Sequence, residues 1–187
     1  MAGQTERMSE PVTWLLLAYR IPSEPSRLRA GVWRRLKALG AIYVQNSVAA
    51  LPQDPTAERA LRALRAEITQ MDGGTAQLLR ADALAGGADL VTAYNTARDE
   101  EYTEIVSRCR DFVTEIETET AASHFTYGEL EENDEDLTKL RGWFDKVAAR
   151  DRLAAPGREA AAKALDECTH ALDGFAAAVY AADTDAP

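Results

Sequence analysis

"VTWLLLAYRI", residues 12–21, is an unbroken apolar and aromatic run bounded by Pro11 and Pro22. Such a run reads as a strand covered on both faces. The residues after Pro22 decide the fold. In "SRLRAGVWRRLKALG", residues 26–40, Leu28, Val32, Leu36 and Leu39 fall on one helical stripe, with Ser23 or Ser26 as the N-cap and Gly40 as the stop. "AIYVQNSVAAL", residues 41–51, reads as two short strands turning at Asn46. After "PQDP", Leu61, Leu64, Ile68 and Met71 mark a second amphipathic helix, "MDGG" ends it, and "TAQLLRADAL", residues 75–84, supplies a last strand. Strand, helix, hairpin, helix, strand is the split βαβ order of ferredoxin-like folds. The predicted class is therefore α+β: a ferredoxin-like βαββαβ domain over residues 12–86, with two helices on one face of a four-stranded antiparallel sheet.

Beyond "ALAGGADL", residues 83–90, the strand pattern ends. Val91, Tyr94, Tyr102, Ile105, Cys109, Phe112 and Ile116 recur at steps suited to one long helix with a coiled-coil-like seam. "TYGE", residues 126–129, matches a capping box, and Leu130, Leu137, Leu140, Phe144 and Val147 continue as a second helix. Pro156 suits the first turn of a third, whose stripe is Ala161, Leu165, Cys168, Leu172, Phe175 and Val179. Residues 88–182 are thus predicted to form an antiparallel three-helix domain.

Composition narrows the classes of function. With 46% hydrophobic and 28% charged residues, the chain of 187 residues can bury a core in each domain. The start, "MAGQTERMSEPV", shows no signal-peptide run, and the longest apolar stretch, "WLLLAY", cannot cross a bilayer. A cytoplasmic protein without a membrane partner is expected, and its two cysteines, Cys109 and Cys168, are read as reduced, apolar packing residues. Charge is divided unevenly. Residues 1–65 hold ten basic and five acidic side chains, a net +5, which leaves -15 on the remainder of a chain whose total is -10. Residues 26–52 carry five basic groups (Arg27, Arg29, Arg34, Arg35 and Lys37) and no acidic one. This split points either to two units with different partners or to a basic face that docks on an acidic one.

The stretch "WLLLAYRIPSEPSRLRAGVWRRLKALGAIYVQNSVAALP", residues 14–52, resembles the N-terminal domain of ChrB, the chromate-resistance regulator. "DEEYTEIVSRCRDF" and "TYGELEENDEDLTKLRGWFDKVAARD" resemble the helical continuation of that region, so the likeness covers residues 12–180. The strand-Pro-Arg-helix-Gly-hairpin pattern also resembles the ferredoxin-like part of PaaX-type repressors and the small CRISPR-associated nucleases. The ChrB resemblance implies a cytoplasmic, chromate-responsive regulator acting at the operon of an efflux pump. Longer members carry a further C-terminal domain where this chain reaches "AADTDAP", so the resemblance implies fold more directly than activity.

Catalytic chemistry finds little footing. The CRISPR-associated nucleases place a metal-binding carboxylate at the end of the first strand, and here that place holds Tyr19 and Arg20. Glu167-Cys168-Thr169-His170 has the Glu-x-x-His spacing of bundle di-iron sites but has no second such pair, so it reads as part of a solvated acidic face. His124 and His170 sit in no triad, and neither a Walker loop nor a dinucleotide-binding glycine pattern is present. No cofactor and no enzymatic activity are expected. The arginines carry the remaining signal. About 100° per residue puts Arg27 and Arg34 on one flank of the first helix and Arg29 beside Trp33 on the other, with Arg35 within about 20° of Leu28, towards the sheet. A buried Arg35 would need partners from Gln45, Asn46 and Ser47 in the hairpin, or from the strand end at Tyr19-Arg20. The predicted oxyanion or phosphate site is Arg20, Arg27, Arg29, Arg34, Arg35, Gln45, Asn46 and Ser47, because planar guanidinium groups suit tetrahedral oxyanions. The expected function is a ChrB-like transcriptional regulator or oxyanion sensor. Its partners would be DNA at the basic half, chromate or another oxyanion, and a second copy in a homodimer. A dimerising protein-interaction scaffold is the alternative, and a metal-dependent hydrolase the third reading.

Overall fold

The computed structural model describes residues 11–22, 24 and 26–184. Its elements are β1 (Thr13–Arg20), α1 (Ser26–Leu39), β2 (Ile42–Gln45), β3 (Val48–Pro52), α2 (Pro55–Gln70), β4 (Thr75–Asp82), α3 (Gly87–Ala121), α4 (Tyr127–Arg150) and α5 (Gly157–Thr184). The expected α+β class, with the strands first and the helices following, is what the chain adopts.

The contacts divide the chain into two compact units, Met1–Tyr94 and Asn95–Pro187, with the division inside α3. In the first, the strands lie in the order β2-β3-β1-β4 and every neighbouring pair is antiparallel. This is the ferredoxin-like order, whose two crossovers set α1 and α2 side by side, with Arg35 of α1 paired to Glu67 of α2. β1 is central, with Leu17 opposite Ala49 on β3 and Leu78 on β4, which is why it reads as a continuous apolar run. Leu15 and Leu17 are buried, as are Val32 and Leu36 from α1 and Ala57, Leu61, Leu64 and Ile68 from α2. On β1's neighbouring positions, Trp14 is also buried and meets the edge of Tyr94 at 6.0 Å between ring centroids.

Local signals end these elements where the residues suggest. Gly40, with φ 80°, stops α1, and the β2–β3 turn takes Asn46 and Ser47, the positive φ of 64° falling on Ser47. Of the two candidate caps of α1, Ser23 lies outside the described residues, and Ser26 is the first helical residue. Asp54 caps α2, accepting hydrogen bonds from the backbone N–H groups of Thr56 at 2.7 Å and Ala57 at 2.8 Å, with Pro55 at the first helical position.

In the second unit α4 runs antiparallel to both its neighbours. Near its start Asn133 bonds Glu119 late in α3, and just past its end Asp151 accepts from Tyr102 early in α3. Tyr127 at its start bonds Asp183 late in α5, while Arg141 bonds Thr169 near the middle of both. Thr126 caps α4 by accepting from the Glu129 N–H, and Pro156 sits immediately before α5. The core joins Tyr102, Ile105, Cys109, Phe112 and Ile116 from α3, Leu137 and Val147 from α4, and the whole predicted α5 stripe from Ala161 to Val179. Among the described residues, no helix is long and apolar enough to cross a membrane.

Candidate functional site

Arg29 and Trp33, one turn apart on α1, line a groove of about 370 Å³ with Tyr19, Ile21, Tyr43, Asn46 and Ser47. The local geometry comes from the fold. Tyr19 lies two residues after the buried Leu17 on β1, Tyr43 pairs with Ala49 beside that same row, and the tight β2–β3 turn brings Asn46 and Ser47 up to them. The Tyr19 and Tyr43 hydroxyl oxygens are 3.0 Å apart. That mutual bond uses one of the pair's two O–H groups and leaves the second for a ligand. Burial first, and then the bond to Tyr19, push the Tyr43 phenol above its ordinary pKa, so it keeps its proton and remains a donor at neutral pH.

A second groove, of about 490 Å³, opens beside the first and shares Tyr19 with it. Arg20 at the end of β1 and Arg65 on α2 line it together with Thr69, Thr75 and Gln77. Among the described residues Arg20, Arg29 and Arg65 form no ion pair. Three guanidinium groups without an ion pair, and a tyrosine pair with one O–H to spare, thus stand at one end of the sheet, an arrangement suited to anions.

The structure separates the predicted site residues. Arg29, Asn46 and Ser47 come together in the first groove, and Arg20 lies in the second. Arg27, Arg34 and Gln45 are exposed and line neither groove. Arg35 corrects an expectation: it is not buried against the sheet but exposed, and its ion-pair partner is Glu67 of α2 rather than the hairpin or the strand end. The buried stripe of α1 is centred on Val32 and Leu36, not on Leu28, which places Arg35 about 80° off centre, where a long side chain reaches the neighbouring helix. Arg65 and the two tyrosines are site residues that spacing and charge alone do not single out. Arg65 carries a visible charge, but only the crossover from β3 to β4 sets α2 beside the end of β1. The period-2 alternation of Tyr19 after Leu15 and Leu17 is the signal that places its ring on the helix side.

Elsewhere the chemistry is sparse. Among the described residues no group of three His, Cys, Asp or Glu side chains is placed to hold a metal ion. His170 is exposed and its Nδ1 lies 2.7 Å from the Asp166 carbonyl of its own helix, whereas Cys168 is buried. Lys37 Nζ sits 5.3 Å from the centre of the Trp33 ring, a cation–π contact that steadies the outer wall of the first groove.

Compared with protein-family models, residues 29–186 match the family described as "Protein ChrB, N-terminal". Searches of curated proteins and of solved structures found no match.

Proposed function

The chain belongs to the ChrB N-terminal family, a family of chromate-resistance-associated regulation, and on that premise we propose that it is a transcriptional regulator contacting DNA phosphates through the arginine-lined end of its sheet unit. The observation that supports this reading is the set Arg20, Arg29 and Arg65, unpaired among the described residues and lining two grooves that share Tyr19. Phosphate contacts by guanidinium groups supply affinity and displace counterions, so binding must weaken steeply with salt. Anisotropy titrations of the full chain with a short duplex from upstream of its own gene test it. Three arginine contacts give a log–log salt slope near about -2.7, and Arg29→Gln or Arg65→Gln should each reduce that slope by roughly 1. Binding with no salt dependence, or variants that bind like the parent, would refute the assignment. No DNA binding together with self-association in the ultracentrifuge would favour the dimerising scaffold.

A second reading has its own support. Arg29, the spare tyrosine hydroxyl, Asn46 and Ser47 offer a charged fork and several neutral donors in a groove of about 370 Å³, a set matched to a tetrahedral oxyanion. Calorimetric titration with chromate, sulfate and phosphate distinguishes this reading, since an oxyanion sensor binds at least one of them and loses it in Arg29→Gln.

A further inference from the structure

Cys109 and Cys168, 59 residues apart, have no part in binding DNA or an oxyanion at the sheet unit. Both are buried, at 1% and 0% exposure, and α3 and α5 bring them together. The Cys168 thiol donates to the Cys109 carbonyl at 3.4 Å. A cysteine used only for its volume can rest on carbon; here the Cys168 sulfur is seated against the backbone that carries Cys109, across the α3–α5 interface. The neighbouring Cys109 and burial push the Cys168 thiol above its ordinary pKa, and Cys168 in turn holds the Cys109 thiol below its own. Donation to a carbonyl needs the protonated Cys168 thiol, so Cys168 keeps its proton, and Cys109 is left as the sulfur to be attacked first.

Access is a separate observation. Cys109 also lines a groove of about 520 Å³ between α3 and α5, together with Arg110, Ala160, Lys163, Ala164 and Glu167. The two alanines leave room on the α5 side, and the two cations stand at the walls.

We propose that Cys109 and Cys168 form a reversible dithiol–disulfide pair, oxidised by a hydroperoxide that reaches Cys109 through this groove. The Cys109 sulfur attacks the terminal peroxide oxygen, the O–O bond breaks, and the thiol proton leaves with the other oxygen as an alcohol, or as water from hydrogen peroxide. Cys109 is then a sulfenic acid. The Cys168 sulfur attacks the Cys109 sulfur, the S–O bond breaks, and the departing hydroxide takes the Cys168 proton as water. Two thiols have lost two electrons and two protons, and the peroxide has gained them.

The test uses the full chain, reduced and then treated with hydrogen peroxide near stoichiometry, with the remaining thiols alkylated under denaturing conditions and mapped by mass spectrometry. The expected result is loss of both thiols, a linked Cys109–Cys168 peptide within a single chain, and return of both thiols with dithiothreitol. Retention of both thiols, accumulation of sulfinic acid on Cys109 with Cys168 still free, or links only between chains would each overturn the proposal. In Cys168→Ala, dimedone should trap a sulfenic acid on Cys109, and its absence would remove Cys109 from the attacking role. Should that variant fail to fold, a time course on the unaltered chain replaces it: dimedone must label Cys109 before the linked peptide forms.

Discussion

Glu101 holds two guanidinium groups at once, Arg98 from its own helix at 3.1 Å and Arg150 from the end of α4. The Arg98 side chain is 6% exposed and that of Arg150 19%, so removing the carboxylate takes a shared acceptor from two largely buried cations. Glu101→Ala should therefore cost about 3 kcal/mol in urea denaturation, whereas Arg35→Met, which breaks a pair exposed on both sides, should cost less than about 1 kcal/mol. Equal losses would mean that water reaches the Glu101 cluster freely. The same contrast shows what single residues disclose in a sequence. Arg29, Asn46 and Ser47 could be placed together because they are near in the chain and the hairpin turn is a local signal. The Glu101–Arg150 pair and the Tyr102–Asp151 bond each span 49 residues, and nothing local marks a polar group whose partner arrives by tertiary packing. Arg35 departs from expectation for a related reason: a stripe of four apolar residues fixes a face only to within a residue's rotation, and burial, not spacing, chose its centre.

Helices with strong periodicity were legible in full at the scale of the element. The α5 stripe is buried at all six predicted positions, because an amphipathic helix between two others has one way to bury its apolar face. Less legible was the polar contact that closes the α3–α4 pair. Glu119 accepts from Asn133 Nδ2 at 2.9 Å in a half-buried setting, and burial, with Glu129 and Glu115 as like-charged neighbours, holds its carboxyl above the ordinary pKa. A carboxyl whose pKa is raised by folding contributes stability below its unfolded pKa and loses that contribution as pH rises through the folded value. At neutral pH the ionised Glu119 thus weakens the helix pair relative to a neutral residue that can still accept from Asn133. Glu119→Gln should melt higher than the parent at neutral pH, and the two curves should converge in acid below the usual carboxylate range. Identical melting at neutral pH, or a gain that persists in acid, would contradict this account.

The whole molecule sets a basic sheet unit against an acidic helical one. Met1–Tyr94 carries 11 basic and 9 acidic residues, a net +2, and Asn95–Pro187 carries 10 and 22, a net -12. On the proposed reading phosphate must come to the arginines while the rest of the chain repels it, so affinity for DNA would be set by the balance of two fields. The range of the repulsive one depends on salt, with a screening length of about 30 Å at 0.01 M and about 8 Å at 0.15 M. At the longer range every carboxylate of the helical unit counts, wherever the DNA lies. Glu131, Glu132 and Asp134 on α4 are exposed and pair with no cation among the described residues, so they can be neutralised without disturbing the core. The triple variant Glu131→Gln, Glu132→Gln, Asp134→Asn should bind a short duplex more tightly at low salt, by roughly 0.5–1 kcal/mol, with the gain shrinking towards physiological salt. Anisotropy titrations at the two salt concentrations measure it, with circular dichroism melts to establish that the variant is folded. A folded variant whose low-salt affinity equals that of the parent would show that the acidic helices do not oppose DNA, and the uneven charge of the two units would then have no part in setting the affinity.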